Sequence, residues 1–458
     1  MSGVTLEEIV SLCKRRGFIY PGSEIYGGLA GTYDYGPLGI ALKRNISNLW
    51  WKTFVDDRED MYGIDSTIIM NPNVWVASGH VDTFNDPLIE DVKTKKRYRL
   101  DHLLEDQGFE NVDTMTLDQM AQLVKVKDIK SPDGNKLGAP AQFNMMFKTH
   151  VGPVEDDESV AYLRPETAQG MFTNFKNVVD SFYPDLPFGL AQVGRSFRNE
   201  ISPGNFIFRL REFEIMELEY FIDQKGWERL FESWLASQHG WFDRLGLDSS
   251  KLKEHEVPEA DRAHYSKRTV DCYYDFPSLG FQELTGLAYR TDFDLKNHQE
   301  RSGKNLEYRP KDGSAPFLPH VIEPTFGLDR HVMAVLSNAY TVDEVNGEQR
   351  IYLKMPTHLA PVRVAVSPLL KNKPELVAKA REVYSMLKKE FGAVMWDDNG
   401  NIGKRYRRQD EIGTPYCVVV DFDTLEGETK DTVTVRNRDT TEQERVTIDQ
   451  LLQRVSVD

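Results

Sequence analysis

Apolar residues recur along this chain with two clear periods, and the alternation between them predicts its elements. Behind Thr5-Leu-Glu-Glu8, a capping-box pattern, Leu6, Ile9, Val10 and Cys13 follow at helical spacing until Gly17 stops the run, so the chain is expected to open with a short helix. The Gly/Tyr-rich segment Tyr26 to Pro37 holds too many turn residues for a helix. Pro37 then sits where a helix start tolerates proline, and Leu38, Ala41, Leu42, Ile46, Leu49, Trp50 and Phe54 predict a long helix over about 38–56. Its wide apolar face suits a core or a subunit interface equally well. Between Gly226 and Gly246, Trp227, Leu230, Phe231, Trp234, Leu235, Trp241, Phe242 and Leu245 predict a core helix.

Strand signals cluster elsewhere. Residues 195–200 and 211–220, rich in Phe, Ile, Leu and Tyr and separated by Ser202-Pro203-Gly204-Asn205, read as an antiparallel hairpin. Residues 82–160 are charged and mixed, with a capped helix start at Thr116-Leu-Asp-Gln119 and the acidic run 155–158, and read as an insertion. From about 360 the texture changes to strand (362–366), helix (373–391), strand (393–396), strand (416–420), two further strands near 432–438 and 444–448, and a terminal helix. That order predicts an α/β module.

Length and composition narrow the class. At 458 residues with 40% hydrophobic content the chain should form two or three globular domains. The N-terminus lacks a basic n-region and an apolar h-region, and no window is apolar enough to cross a bilayer, which predicts a cytoplasmic protein. Cys13, Cys272 and Cys417 are too far apart for a disulfide framework or a Cys-x-x-Cys zinc site. A net charge of −16 argues against coating nucleic acid by bulk charge, yet local basic runs at 93–99 and 404–408 can still meet a backbone or remain solvated faces.

The candidate chemistry starts in the hairpin. With a period of two, Arg198 and Glu200 share a face roughly 6.6 Å apart along the strand, and an Arg fork can hold a phosphate while a carboxylate accepts from an exocyclic amine. On the partner strand Phe213, Ile215, Glu217 and Glu219 share a face, so Phe213 could stack under a purine. Glu323-Pro-Thr-Phe-Gly327-Leu-Asp-Arg330 leads into an apolar helix whose start favours an anion, with Arg330 in its first turn. Glu166, after Pro165 at another helix start, is either a cap or a partner for an ammonium. Glu283, in a strand-like context, could bind Mg²⁺ beside phosphates. Taken one by one, each has an ordinary structural reading.

Together these segments resemble the class II aminoacyl-tRNA synthetases, and within them the homodimeric glycyl-tRNA synthetase family, over nearly the whole chain. Gly36-Pro-Leu-Gly39 and its helix are similar to that class's first, dimer-forming motif, 198–213 to the second and 327–330 to the third. Tyr162-Leu-Arg-Pro-Glu-Thr-Ala-Gln-Gly170, Ser196-Phe-Arg-Asn-Glu-Ile-Ser-Pro203, Arg211-Glu-Phe213 and Val321-Ile-Glu-Pro-Thr-Phe-Gly327 are similar to the glycine-specific signature. The resemblance implies an α+β fold. Residues 1–359 would form the catalytic domain, an antiparallel sheet with flanking helices and insertions at about 82–160 and 225–270, and 360–458 an α/β anticodon-binding domain.

It also implies roles. Arg198 and Arg330 would be catalytic, within an ATP site made of Arg198, Asn199, Glu200, Phe208, Arg209, Leu210, Arg211, Glu212, Phe213, Glu283, Leu284, Gly327, Leu328, Asp329 and Arg330. Glu283 would hold Mg²⁺ with the ATP. Glycine would lie among Arg99, Glu166, Phe213, Glu217, Glu323, Thr325 and Gly327, with Thr325, where many relatives carry serine, closing the space a side chain would need. Lys404, Arg405, Arg407 and Arg408 would contact tRNA. The reaction would join glycine to ATP as glycyl-adenylate and then to tRNA, by alignment and electrostatics without a protein nucleophile. Two other readings are a non-catalytic nucleic-acid-binding accessory protein and a synthetase for threonine, proline or histidine. Intact Arg198, Glu200, Phe213 and Arg330 weigh against the first, and the absence of a His/Cys cluster weighs against threonine.

Overall fold

The computed structural model describes residues 4–109, 112, 115–263, 265–345 and 347–456. Its centre is a seven-stranded sheet of β1 (Met61–Gly63), β2 (Phe188–Phe197), β3 (Glu212–Ile222), β4 (Leu252–Glu256), β5 (Arg268–Phe276), β6 (Gly280–Thr291) and β7 (His320–Gly327). The strands lie in the order β4-β5-β6-β7-β3-β2-β1, antiparallel throughout except for β1 on β2. The fold is thus α+β.

The two-residue period of β3 divides the protein. Met216, Leu218, Tyr220 and Ile222 join one core with Leu42, Ile46 and Trp50 of α1 (Pro37–Trp51), Trp234 and Trp241 of α2 (Trp227–Arg244) and Val332 and Val335 of α3 (Leu328–Ala339). Phe221, on the opposite face, joins a second core with Phe172 and Phe175 of α4 (Ala168–Phe182) and Leu295 of α5 (Phe293–Ser302). Toward the start of β3, that second face carries polar chemistry instead.

The long first-half helix continues past α1 as a π turn, Lys52–Asp56. At its start the backbone of Gly39 packs directly on the preceding segment, where a Cβ would lie 1.9 Å from the Phe18 carbonyl oxygen. Gly39→Ala is therefore expected to cost about 1–3 kcal/mol, the usual range for an overpacked interior. Urea denaturation checks it, and an unchanged midpoint would mean that the Phe18 turn yields freely.

Within 82–160, Asn85–Glu90, Arg97–Arg99 and Ala141–Asn144 form a small sheet covered by Leu100–Glu105 and Leu117–Val126, around Ile89, Leu100, Leu104 and Met120. The basic run at its edge is held locally, with Lys95 paired to Glu90 at 3.1 Å and Lys96 to Asp133 at 2.8 Å. Near the C-terminus, β8 (Val364–Pro368), β9 (Val394–Trp396), β10 (Tyr416–Val420), β11 (Thr432–Asn437) and β12 (Gln443–Thr447) form a second sheet, ordered β9-β8-β10-β11-β12. Helices α6 (Pro374–Phe391), α7 (Ile402–Glu411) and α8 (Ile448–Ser456) accompany it. Cys13, Cys272 and Cys417 are buried, free thiols. No helix among the described residues is long and apolar enough to cross a membrane.

The hairpin differs from the expectation in one respect. β2 ends at Phe197, so Arg198-Asn199-Glu200 leaves the ladder: Arg198 N–H still donates to Arg211 O at 3.0 Å, but Asn199 N–H turns to Met145 O at 2.7 Å. A neighbouring segment has captured the strand edge.

Candidate active site

A cavity of about 240 Å³ opens where β3, β6, β7 and the loop after β2 meet. Arg198, Glu200, Phe208, Arg209, Leu210, Phe213, Glu283, Leu284, Gly327, Asp329 and Arg330 line it, together with Arg99, Met145, Glu217 and Thr325. Two of its arginines rest on aromatic rings. The Arg198 guanidinium lies 5.3 Å from the Phe213 centroid and 5.4 Å from that of Phe84, while its Nε donates to Pro165 O at 3.2 Å. Arg330 lies 4.4 Å from the Phe208 centroid and donates to the Glu283 carboxylate at 3.0 Å. Arg209 makes no side-chain hydrogen bond among the described residues, leaving its fork free toward the cavity.

Not every expected residue faces this space. Asn199, Arg211, Glu212 and Leu328 do not line it. Arg211 instead donates to Ala30 O at 2.7 Å and Glu200 O at 3.1 Å, tying the loop together, and Glu212 pairs with exposed Arg195 on the α1 side of the sheet. Leu328 is packed in the core. Asp329 lines the cavity but is engaged: Lys43 Nζ, Tyr35 Oη and the Glu214 N–H all donate to it, at 2.8, 2.5 and 2.7 Å. Its carboxylate fixes the start of α3 against α1 and β3.

At the base, Glu217 accepts from Thr167 N–H at 3.1 Å, from Thr167 Oγ1 at 2.5 Å and from Thr325 Oγ1 at 3.1 Å. Behind it lie Glu166 and Glu323, both buried and outside the cavity wall. Glu323 takes a bidentate contact from Arg290 at 3.0 and 2.9 Å, and the rest of that guanidinium binds Asp294 at 2.8 Å twice. Burial pushes the Glu323 carboxyl up to about 8, against the pull of Arg290 and with the help of Glu217 and Glu166. Burial would raise Glu166 as well, but His80 at 3.4 Å, Arg290 and the Gln169 amide at 2.8 Å outweigh it and hold that carboxyl below its ordinary range. Arg99 is clamped between Asp86, at 3.1 Å, and Asp101 at the cavity mouth.

Sequence reasoning missed the residues that hold this base. Arg290, Asp294 and His298 stand four apart, a spacing visible in the sequence, but only the fold shows that Arg290 ends a strand and the others belong to α5. His298 Nε2 then meets Gln169 Oε1 at 2.7 Å, closing the network. Lys43 stands beside Arg44, Asn45, Ser47 and Asn48 in the same helix, and nothing in that spacing marks it as the buried partner of Asp329.

The basic segment 404–408 falls on α7, and one of its members is not available to RNA. Arg405 is buried, donating to the carbonyls of Pro368, Asp398 and Gly400, so the expected tRNA contact there is corrected to a structural brace. Arg408 is paired with Asp397. Lys404, Arg407 and Arg408 do line an open cavity of about 960 Å³ with Arg16, Arg350 and Arg436.

Residues 363–457 match a family model described as the anticodon binding domain. Across 98% of its length the chain is 47% identical to a glycine–tRNA ligase of Deinococcus radiodurans, covering 98% of that protein, and 47% identical to one of Thermus thermophilus with the same coverages. A glycine–tRNA ligase of Cutibacterium acnes is 48% identical over 98% of this chain and 95% of its own. The chain belongs to the glycine–tRNA ligase family. In this member of the family, the cavity and its carboxylate base come from the class II-like sheet, and the anticodon-binding match coincides with the separate C-terminal sheet.

Proposed function

We infer that this chain is a glycine–tRNA ligase, an ATP-dependent class II aminoacyl-tRNA synthetase that activates glycine as glycyl-adenylate and transfers it to the 3′ end of its tRNA. The observation that carries the reading is one cavity lined by four arginines, Phe213 and a threonine-capped carboxylate, in a chain so close to ligases of that name over nearly their whole length. The accessory-protein reading is set aside for the same reason.

In the mechanism we propose, adenine stacks on Phe213 and its amine faces Glu200. The Arg198 guanidinium moves off the ring to the α-phosphate, where it neutralises charge as the glycine carboxylate attacks and pyrophosphate leaves. Arg209 takes the γ-phosphate end and Arg330 the other face of the ring. Glu217 receives the glycine ammonium, with Glu166 and Glu323 supplying negative potential from behind, and Arg99 closes the mouth. Thr325 stands where a larger amino acid would project its side chain, so selection works by exclusion. The carboxylate of Glu283 fits Mg²⁺ held with ATP: it is 48% exposed, and burial together with the Glu283 charge pushes nearby Asp271 up to about 7, a repulsion a divalent cation relieves. When bound, Mg²⁺ screens the phosphates.

The proposal extends to organisation. Residues 1–359 act as the catalytic domain with insertions at about 82–160 and 225–270, and 360–458 read the anticodon, with Lys404, Arg407 and Arg408 toward RNA. Ile25, Tyr26, Leu29 and Ile40 are exposed apolar residues beside the start of α1, and we assign them to a homodimer interface in a cytoplasmic enzyme. Amino-acid-dependent ATP–pyrophosphate exchange without tRNA tests the core of this reading. Glycine alone should drive exchange among glycine, alanine, serine, threonine, proline and histidine, and exchange driven by alanine would overturn the assignment of Thr325.

A further inference from the structure

Glu219 is fully buried, and neither of its carboxyl oxygens has a hydrogen-bond partner among the described residues. The register that pairs Glu217 with Thr325 and Tyr220 with Ile322 sets Glu219 against Glu323 on the adjacent strand. Carboxyl oxygens of Glu217, Glu219 and Glu323 all lie within 4.8 Å of one another. Like charges opposite each other weaken a sheet, and a desolvated carboxylate without a partner is costlier still. Arg290 offsets this only in part, through its charge, because its fork is spent on Glu323 and Asp294. The charged groups acting on Glu219 are Glu323 from β7, Arg290 from β6, Glu217 from β3 and Asp294 from α5; Glu166, ahead of α4, acts on Glu323, and the Tyr265 ring lies under Arg290. Carboxyls outnumber the cation.

We propose that Glu219 is a positioning residue that carries a proton in the empty site, shares it with Glu323, and releases it to solvent when the glycine ammonium binds at Glu217. The proton and the ammonium are alternative ways of neutralising the same three carboxyls. Burial and the facing Glu323 hold Glu219 well above the ordinary carboxyl range without ligand, and a bound cation pulls it down. Between those two values the complex holds one proton fewer than the empty protein, so glycine affinity rises with pH by about tenfold per unit. This rests on the ligase reading above.

Calorimetric titration of the full chain with glycine, near neutral pH in buffers of different ionisation heat, measures the protons released. About one proton is expected from the unmodified chain and close to none from Glu219→Gln, whose amide keeps the shape and hydrogen-bonding of the protonated acid. Release of no proton by the unmodified chain would overturn the proposal, even if the variant failed to fold, and so would equal release by the two proteins. A merely structural role for Glu219 would not move this readout. Absence of glycine binding together with absence of glycine-driven exchange would overturn the ligase reading itself, whereas binding without proton release overturns only this inference.

Discussion

Arg290→Met is expected to destabilise the protein by about 3–5 kcal/mol near pH 8, the range found when one partner of a buried ion pair is removed. Arg290 is 1% exposed and satisfies Glu323 and Asp294 at once, so its loss strands two buried carboxylates. The cost should depend on pH with a definite sign. Glu323 titrates in the folded chain at about 8, above its ordinary value of 4.5, so the folded state binds more protons within that window. Stability from this group is complete below the lower value and is lost as pH rises through the window. Taking away Arg290 removes the interaction that lowers the folded value, which deepens the loss on the alkaline side. Urea titrations near pH 5.5 and near pH 8 should therefore give a smaller deficit at the acid end, and equal deficits would show that Arg290 acts through packing alone. Arg290→Lys should fall between, since it keeps the charge but cannot bind both carboxylates with a planar fork.

How much of this was legible in the sequence depends on the range of the interaction involved. Local signals carried far. The Thr5 and Thr116 capping boxes form as written, the core helix over 227–244 and the strands at 416–420 and 432–437 follow their apolar periods, and Phe213, Glu217 and Thr325 reach one cavity because strand alternation fixes their face. Where a third element intervenes, the pattern is silent. Asn199 leaves the hairpin because Met145, 54 positions earlier, supplies a better acceptor for its N–H. Arg405 looked like one of four equivalent cations, and only the carbonyls of Pro368, Asp398 and Gly400 around it distinguish a brace from an RNA contact. Asp329 presents the same lesson inside the site. Its sequence context predicts a ligand contact, whereas Tyr35 and Lys43, nearly 300 positions away, make it a fastener.

Arg198→Ala should separate catalysis from stability most cleanly. The guanidinium makes one hydrogen bond to a backbone carbonyl and lies over two aromatic rings, with no carboxylate paired to it among the described residues. Losing contacts of that kind costs about 1 kcal/mol. If the side chain instead neutralises the α-phosphate as the pentacoordinate centre forms, its removal takes away a preorganised charge, an effect typically worth a 10²–10³-fold loss in kcat. Glycine-dependent pyrophosphate exchange should fall by about that factor while the urea midpoint barely moves. Because the interaction strengthens toward the transition state, kcat should drop more than the KM for ATP rises. A large rise in KM with kcat preserved would place Arg198 in ground-state binding of the nucleotide. Loss of fold would instead make its seat between Phe84 and Phe213 a structural one. The sparse partnering of this arginine matters because a catalytic cation must exchange one set of contacts for another within each turnover. A guanidinium stacked on rings can do so, since no buried carboxylate is left behind when it moves, and that is the contrast with Arg290, whose fork is committed to Glu323 and Asp294.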